Sequence, residues 1–192
     1  MKIMDYKTYL FLFLFKREFD GLTLTGQLAL LAIEALIVFV PGIILYKKNK
    51  ITIGKLIQIF ALVVYAGLLF SFTVLRRRIG SRAGIVLLHI NLGFNLHGIY
   101  SYWAFFYGLF NVMLFVPWGI IIGSFLKKRG FLARTLFTTL IGFFTSLAIE
   151  SVQYVTGTGM LEVTDLLTNT TGAFIGGIIV SIVVFLSRKI YR

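Results

Sequence analysis

A chain of 192 residues with 58% hydrophobic residues, 14% charged residues and a mean hydropathy of +0.93 carries more apolar side chains than one soluble core of that size can hide. The formal net charge is +12, but the bases fall in short clusters between apolar runs, which makes anionic lipid headgroups their partners and excludes nucleic acid. The absence of cysteine removes disulfides, thiolate metal sites and a cysteine nucleophile.

These features predict an all-α polytopic transmembrane helix bundle of about five spans with an N-terminal interfacial or membrane-dipping segment, and leave no room for a separate soluble domain. Residues 1–26 form that segment. Its run "YLFLFLF" lies between Lys7 and Lys16-Arg17, with Asp5, Glu18 and Asp20 nearby. The run is too short to span and lacks the small-residue cleavage site of a signal peptide; an uncleaved signal-anchor is the alternative.

Residues 27–192 form the transmembrane domain, with spans predicted near 27–46, 55–75, 102–126, 135–155 and 166–187. The first contains Glu34 and Pro41. The third opens on Tyr100, Tyr102 and Trp103, aromatic residues that favour the headgroup level, and carries Asn111, Pro117 and Gly119. Between the second and third lies "RRRIGSRAGIVLLHINLGFNLHGIYS", whose apolar part is broken by Asn91, Gly93, Asn95 and Gly98. A surface loop and a re-entrant segment over 83–97 both fit, because irregular backbone at membrane depth requires protein or water to satisfy its amides.

Of the nineteen Lys and Arg residues, eleven lie in 47–55, 127–134 and 188–192, which places those connections in the cytoplasm. Arg76, Arg77, Arg78 and Arg82 weigh against that orientation. Whichever way the chain is inserted, five spans put the N-terminal segment, the 76–101 connection and the 156–164 connection on one face. Six of the seven acids belong to that face when Glu150, near the outer end of its helix, is included; Glu34 stands apart.

No acid occurs from residue 35 to residue 149, and then Glu150, Glu162 and Asp165 arrive within sixteen positions. An ionisable group in a span costs a few kcal/mol and needs partners. Glu150 and Gln153 share a helix face, with Ser146 one turn earlier, and Asp165 and Asn169 share another. A short hairpin brings them level, under about 8 Å from the surface. Asp165 falls where it can cap the last helix. Gly172 and Gly176 form a small-xxx-small pair for close helix packing.

A structural reading remains open. In it Gln153, Asn169, Thr168, Thr170 and Thr171 are interhelical glue, Asp165 is a cap, and Glu150 pairs with an arginine of 76–82. The functional reading takes the carboxylate as part of a site for a cation, a proton or a polar headgroup. His89 and His97, eight apart in an irregular stretch, match no metal-ligand spacing. Neither a metal set nor a cofactor motif is present: there is no zinc motif, no phosphate-binding glycine loop and no Ser-His-Asp arrangement.

The blocks "NVMLFVPWGIIIG" at 111–123, "IESVQYVTGTG" and "VTDLLTNTTGAFIGG" resemble the VanZ-like membrane proteins. The pattern of that family is an Asn before an aliphatic run and Pro-x-Gly, then Glu-x-x-Gln, then Asp-Leu-Leu-x-Asn-x-x-Gly-x-x-x-Gly. The likeness covers about the last hundred residues and reaches weakly into "SFTVLRR" at 71–77. It departs where the family often has Arg and Asp and this chain has Met160 and Glu162, and where Asn-Leu-x-Pro-Phe is replaced by "NLGFN". Its polar positions fall on Asn111, Pro117, Gly119, Glu150, Gln153, Asp165, Asn169, Gly172 and Gly176.

The resemblance implies a bacterial cytoplasmic-membrane family named for a teicoplanin-resistance determinant. The expected function is a contribution to glycopeptide and lipoglycopeptide resistance or envelope homeostasis, through membrane lipids or an anionic or lipidated ligand. Glu150, Gln153, Asp165, Asn169 and Asn111 would bind its polar part, and Arg76, Arg77, Arg78 and Arg82 would supply charge. Two alternatives stand beside it. One is a lipid-modifying enzyme with Glu150 as general base; the other is an ion or proton pathway through Glu34, Glu150 and the amides.

Overall fold

Threonine oxygens open two of the membrane helices. Thr23 Oγ1 accepts from the Gly26 amide and Thr52 Oγ1 from the Lys55 amide, each at 3.2 Å, which satisfies a donor that the helix itself leaves free. The computed structural model describes residues 6–94 and 99–190; Asp5, Asn95, His97 and Gly98 lie outside the described residues. Its elements are α1 (Tyr6–Glu18), α2 (Leu24–Lys47), α3 (Ile53–Phe70), β1 (Val86–Leu87), α4 (Ile99–Phe125), α5 (Phe131–Thr156), β2 (Leu161–Glu162) and α6 (Val163–Ile190). The end of α3 widens into a π-helical turn over Ser71–Leu75.

Five helices are long and apolar enough to cross a membrane: α2, α3 with its π turn, α4, α5 and α6. They start two to four residues before the predicted spans; at α2 and α3 the polar caps Thr23 and Thr52 begin the helix ahead of its apolar run. The fold is an all-α membrane bundle.

At its centre α4 and α6 pack backbone to backbone. A Cβ at Gly172 would strike the Val112 carbonyl oxygen, one at Gly176 that of Val116, and one at Gly119 that of Ala173. Such contacts let two helices approach along a strip with no side chain between them. The Gly172 and Gly176 face thus turns to α4, and α5 meets α6 differently: Ala173 sits against Gly142, and Thr138 against Gly177. Phe115, Trp118, Leu69 and Ala173 form the apolar core beside this strip. In the turn that Pro117 loosens, Tyr65 Oη donates to the Leu114 carbonyl at 2.6 Å.

The end of α4 is closed by a buried cation. Arg134, 2% exposed, donates to the carbonyls of Leu126, Lys127 and Arg129 at 3.2, 3.1 and 2.6 Å, so the carbonyls of the turn between α4 and α5 hold the charge that burial would otherwise penalise. Helix α2 packs on α3 at the periphery. Glu34, 7% exposed, lies on Gly67, where any Cβ would collide with its carboxylate.

Helix α1 lies across the start of α4. Lys7 stands over the Tyr102 ring and Arg17 over the Trp103 ring, while Phe11, in the middle of α1, meets Phe106 and Phe110 further along α4. The stretch after α3 is an irregular connection over its described part, packed on the α5–α6 hairpin. Gly80 N donates to Thr156 O, Arg82 N to Gly157 O and Leu161 N to Ile85 O, and β1 pairs with β2 in parallel. Gly157, at φ +63°, ends α5 in the left-handed conformation that allows this connection to turn back.

Candidate functional site

The polar residues of the α5–α6 hairpin separate into two layers. In the inner layer Glu150, Gln153 and Asn169 are 3%, 3% and 4% exposed. Glu150 Oε2 accepts the backbone amide of Glu162 at 2.9 Å, which ties β2 to α5. Gln153 Nε2 donates to the Thr73 carbonyl at 2.9 Å, in the π turn where the widened helix presents that oxygen. Asn169 Nδ2 donates to Ser146 Oγ at 2.9 Å and joins α6 to α5. These residues do not form one cluster around Glu150; each fixes a different element to α5. Among the described residues the ion pair within 4 Å joins Arg76 to Glu18, at 2.5 Å, so the arginine run 76–82 pairs with Glu18 and not, as the structural reading of the sequence expected, with Glu150.

In front of that layer lies a cavity of about 590 Å³. The turn after α3 brings Arg76, Arg77, Arg78 and Arg82 to it, α1 brings Arg17 and Glu18, and the loop through β1 brings His89 and Asn91. The hairpin contributes Glu162 and Asp165, and α4 contributes Trp103, Tyr107 and Asn111. On α4 the lining residues 103, 104, 107, 108, 110 and 111 make one helical stripe, so the cavity descends about 12 Å from the aromatic belt towards membrane depth. Asn111 on α4 stands beside Asp165, in the first turn of α6.

Five arginines and three carboxylates therefore face one space, with Arg76 already engaged by Glu18 and by the carbonyls of Arg17 and Phe72. Arg77 rests against the 158–160 connection, where a Cβ at Gly159 would stand 2.9 Å from its Nη1. Burial, together with the neighbouring Arg76 and Arg82, pushes the Arg77 guanidinium down from its ordinary pKa, the direction expected when like charges are gathered away from water. Burial pushes the Glu162 carboxyl up, while Arg82, Arg77 and His89 pull it the other way. Trp103 Nε1 is buried without a hydrogen-bond partner among the described residues, a donor left unspent at the cavity wall. The set gathers donors and positive charge for a part-buried anion.

Of the candidate residues named from sequence, the structure brings Asn111, Asp165, Arg76, Arg77, Arg78 and Arg82 to this cavity, and keeps Glu150, Gln153 and Asn169 behind it. Gly119, Gly172, Gly176 and Pro117 belong to the α4–α6 seam and its neighbouring turn. Glu34 belongs to the α2–α3 pair and is not joined to the hairpin by any hydrogen bond among the described residues. The described residues contain no group of three or more His, Cys, Asp or Glu able to hold a metal ion. Sequence reasoning missed Arg17, Glu18, Asn91 and Tyr107 as wall residues. The signal available for the first two was the charge pair that ends α1, followed two membrane helices later, on the same face, by the four-arginine run.

A family model described as VanZ/LLP1 matches residues 59–185. A relative called Protein VanZ, from Enterococcus faecium, is 35% identical over 66 residues, which is 34% of this chain and 38% of the relative's own length. No solved structure matches.

Proposed function

The chain belongs to the VanZ/LLP1 family, and we propose that within it the protein contributes to teicoplanin and related lipoglycopeptide resistance, or to envelope homeostasis, by engaging a lipid or lipidated ligand. It is a multi-pass protein of the bacterial plasma membrane. The observation that carries the reading is the convergence of Arg17, Arg76, Arg77, Arg78 and Arg82 on a cavity that runs down the aromatic start of a membrane helix. Guanidinium groups at headgroup level bind phosphate or carboxylate through paired N–H donors, and the low-dielectric surroundings strengthen that attraction. Asp165 and Asn111 offer polar contacts at the floor. Glu150, Gln153 and Asn169 serve the site by holding β2, the π turn and α6 in place.

This geometry favours binding over general-base catalysis by Glu150, whose carboxylate is occupied by the Glu162 amide and does not line the cavity. It also gives no support to a conduction path through Glu34, which sits between α2 and α3.

The test is teicoplanin tolerance in a susceptible Gram-positive host without its own copy, with membrane levels of each protein matched. Wild type is expected to raise tolerance, and Arg77→Gln, Asp165→Asn and Asn111→Ala each to abolish most of the gain while the lipidome stays unchanged. Full tolerance with all three variants would remove the cavity from the function. A lipid change that depends on Asp165 would replace binding with catalysis.

A further inference from the structure

Resting on the reading just given, we propose that the ligand is a phosphate headgroup that carries its own hydrogen-bond donors, an ammonium or hydroxyl groups, and that Asp165 and Glu162 select those donors while the arginines hold the phosphate. The premise is the mixed sign of the walls. A carboxylate only accepts hydrogen bonds, and so does a phosphate, so two carboxylates beside an arginine cluster weaken its hold on a plain anion and reward one that also donates.

The acids are not there simply to neutralise the arginines. Where this chain does pair charges across the cavity rim it does so tightly, Arg76 to Glu18 at 2.5 Å. Arg77 and Arg82 stand more than 4 Å from Glu162 and Asp165, although Arg77 is close enough for its charge to be felt at both carboxylates. Opposed charges that share a cavity without touching leave room between them for a ligand with both kinds of group. Trp103 Nε1, the buried indole donor, adds a further hydrogen bond for the phosphate, and Asn111 can give or accept beside Asp165. The descent of the cavity along α4 puts this recognition at the depth of a phospholipid headgroup.

The experiment uses the full chain in detergent micelles and native mass spectrometry with dioleoyl phosphatidylethanolamine, phosphatidylglycerol and phosphatidylcholine. All three are phosphodiesters; the first two carry N–H or O–H donors and the third has none. Binding of phosphatidylethanolamine and phosphatidylglycerol is expected to be about tenfold tighter than that of phosphatidylcholine. Asp165→Asn and Glu162→Gln should bring the three towards parity, and Arg77→Gln should weaken all three together. Should Asp165→Asn fail to fold, Glu162→Gln, outside the membrane helices, decides alone. Equal binding of phosphatidylcholine, unchanged by both acid variants, overturns the donor selection and leaves the headgroup site standing. Loss of specific binding for all three lipids overturns the headgroup site itself.

Discussion

At the scale of single residues, two carboxylates fifteen positions apart have separate tasks. Glu150 accepts a loop amide from behind the cavity, and Asp165 faces into it. A glutamine at 150 keeps an oxygen for the Glu162 amide, whereas alanine leaves that buried donor bare. Glu150→Ala is therefore expected to destabilise the protein by about 1–3 kcal/mol and Glu150→Gln by clearly less. Thermal unfolding of the purified chains measures the difference, and equal losses would show that the hydrogen bond is not the role of Glu150. The sequence marked this neighbourhood because acids reappear there after a long gap. It did not reveal which side chains face the cavity, since that depends on β1 pairing with β2 across more than seventy residues.

At the scale of elements, hydropathy located all five membrane helices, and threonine caps accompany the earlier starts of α2 and α3. The partner of the Gly172 and Gly176 face was not legible, because a small-xxx-small pair says that some backbone approaches and not whose. The structure assigns it to α4. Gly176→Val and Gly119→Val would drive methyl groups into backbone that cannot yield as a side chain can. Each is expected to cost at least about 1–3 kcal/mol and to lower the yield of folded protein in the membrane. Gly54→Ala, where a Cβ meets nothing within 4 Å, is the matched control and should fold as wild type. Comparable yields for all three would contradict the close α4–α6 approach. Helix α1 was readable as too short to span, but its contribution of Arg17 and Glu18 to the cavity required the aromatic contacts with α4 and the Arg76 bridge.

At the scale of the whole molecule, charge distribution makes a prediction about the cavity. The basic connections 47–55 and 127–134 lie opposite the loop that carries Arg76 to Arg82, and the larger share of Lys and Arg on their side predicts a cavity that opens towards the cell exterior. Because the chain has no cysteine, single substitutions report sidedness on an otherwise native background. In intact cells an impermeant maleimide should label Ser81→Cys directly and Lys50→Cys only after permeabilisation; the reverse pattern would turn the cavity to the cytoplasm.

Basic residues lie at both ends of the bundle, so lipid binding alone does not locate the site. The most direct measurement is cross-linking in native membranes with a phosphatidylethanolamine bearing a photoreactive group beside its phosphate, followed by mapping of the modified peptides. Adducts are expected in 76–91 and 103–111, and they should fall sharply in the Arg77→Gln Arg82→Gln protein. Adducts confined to 47–55 and 127–134, or undiminished by the double substitution, would contradict an arginine cavity that receives a lipid headgroup.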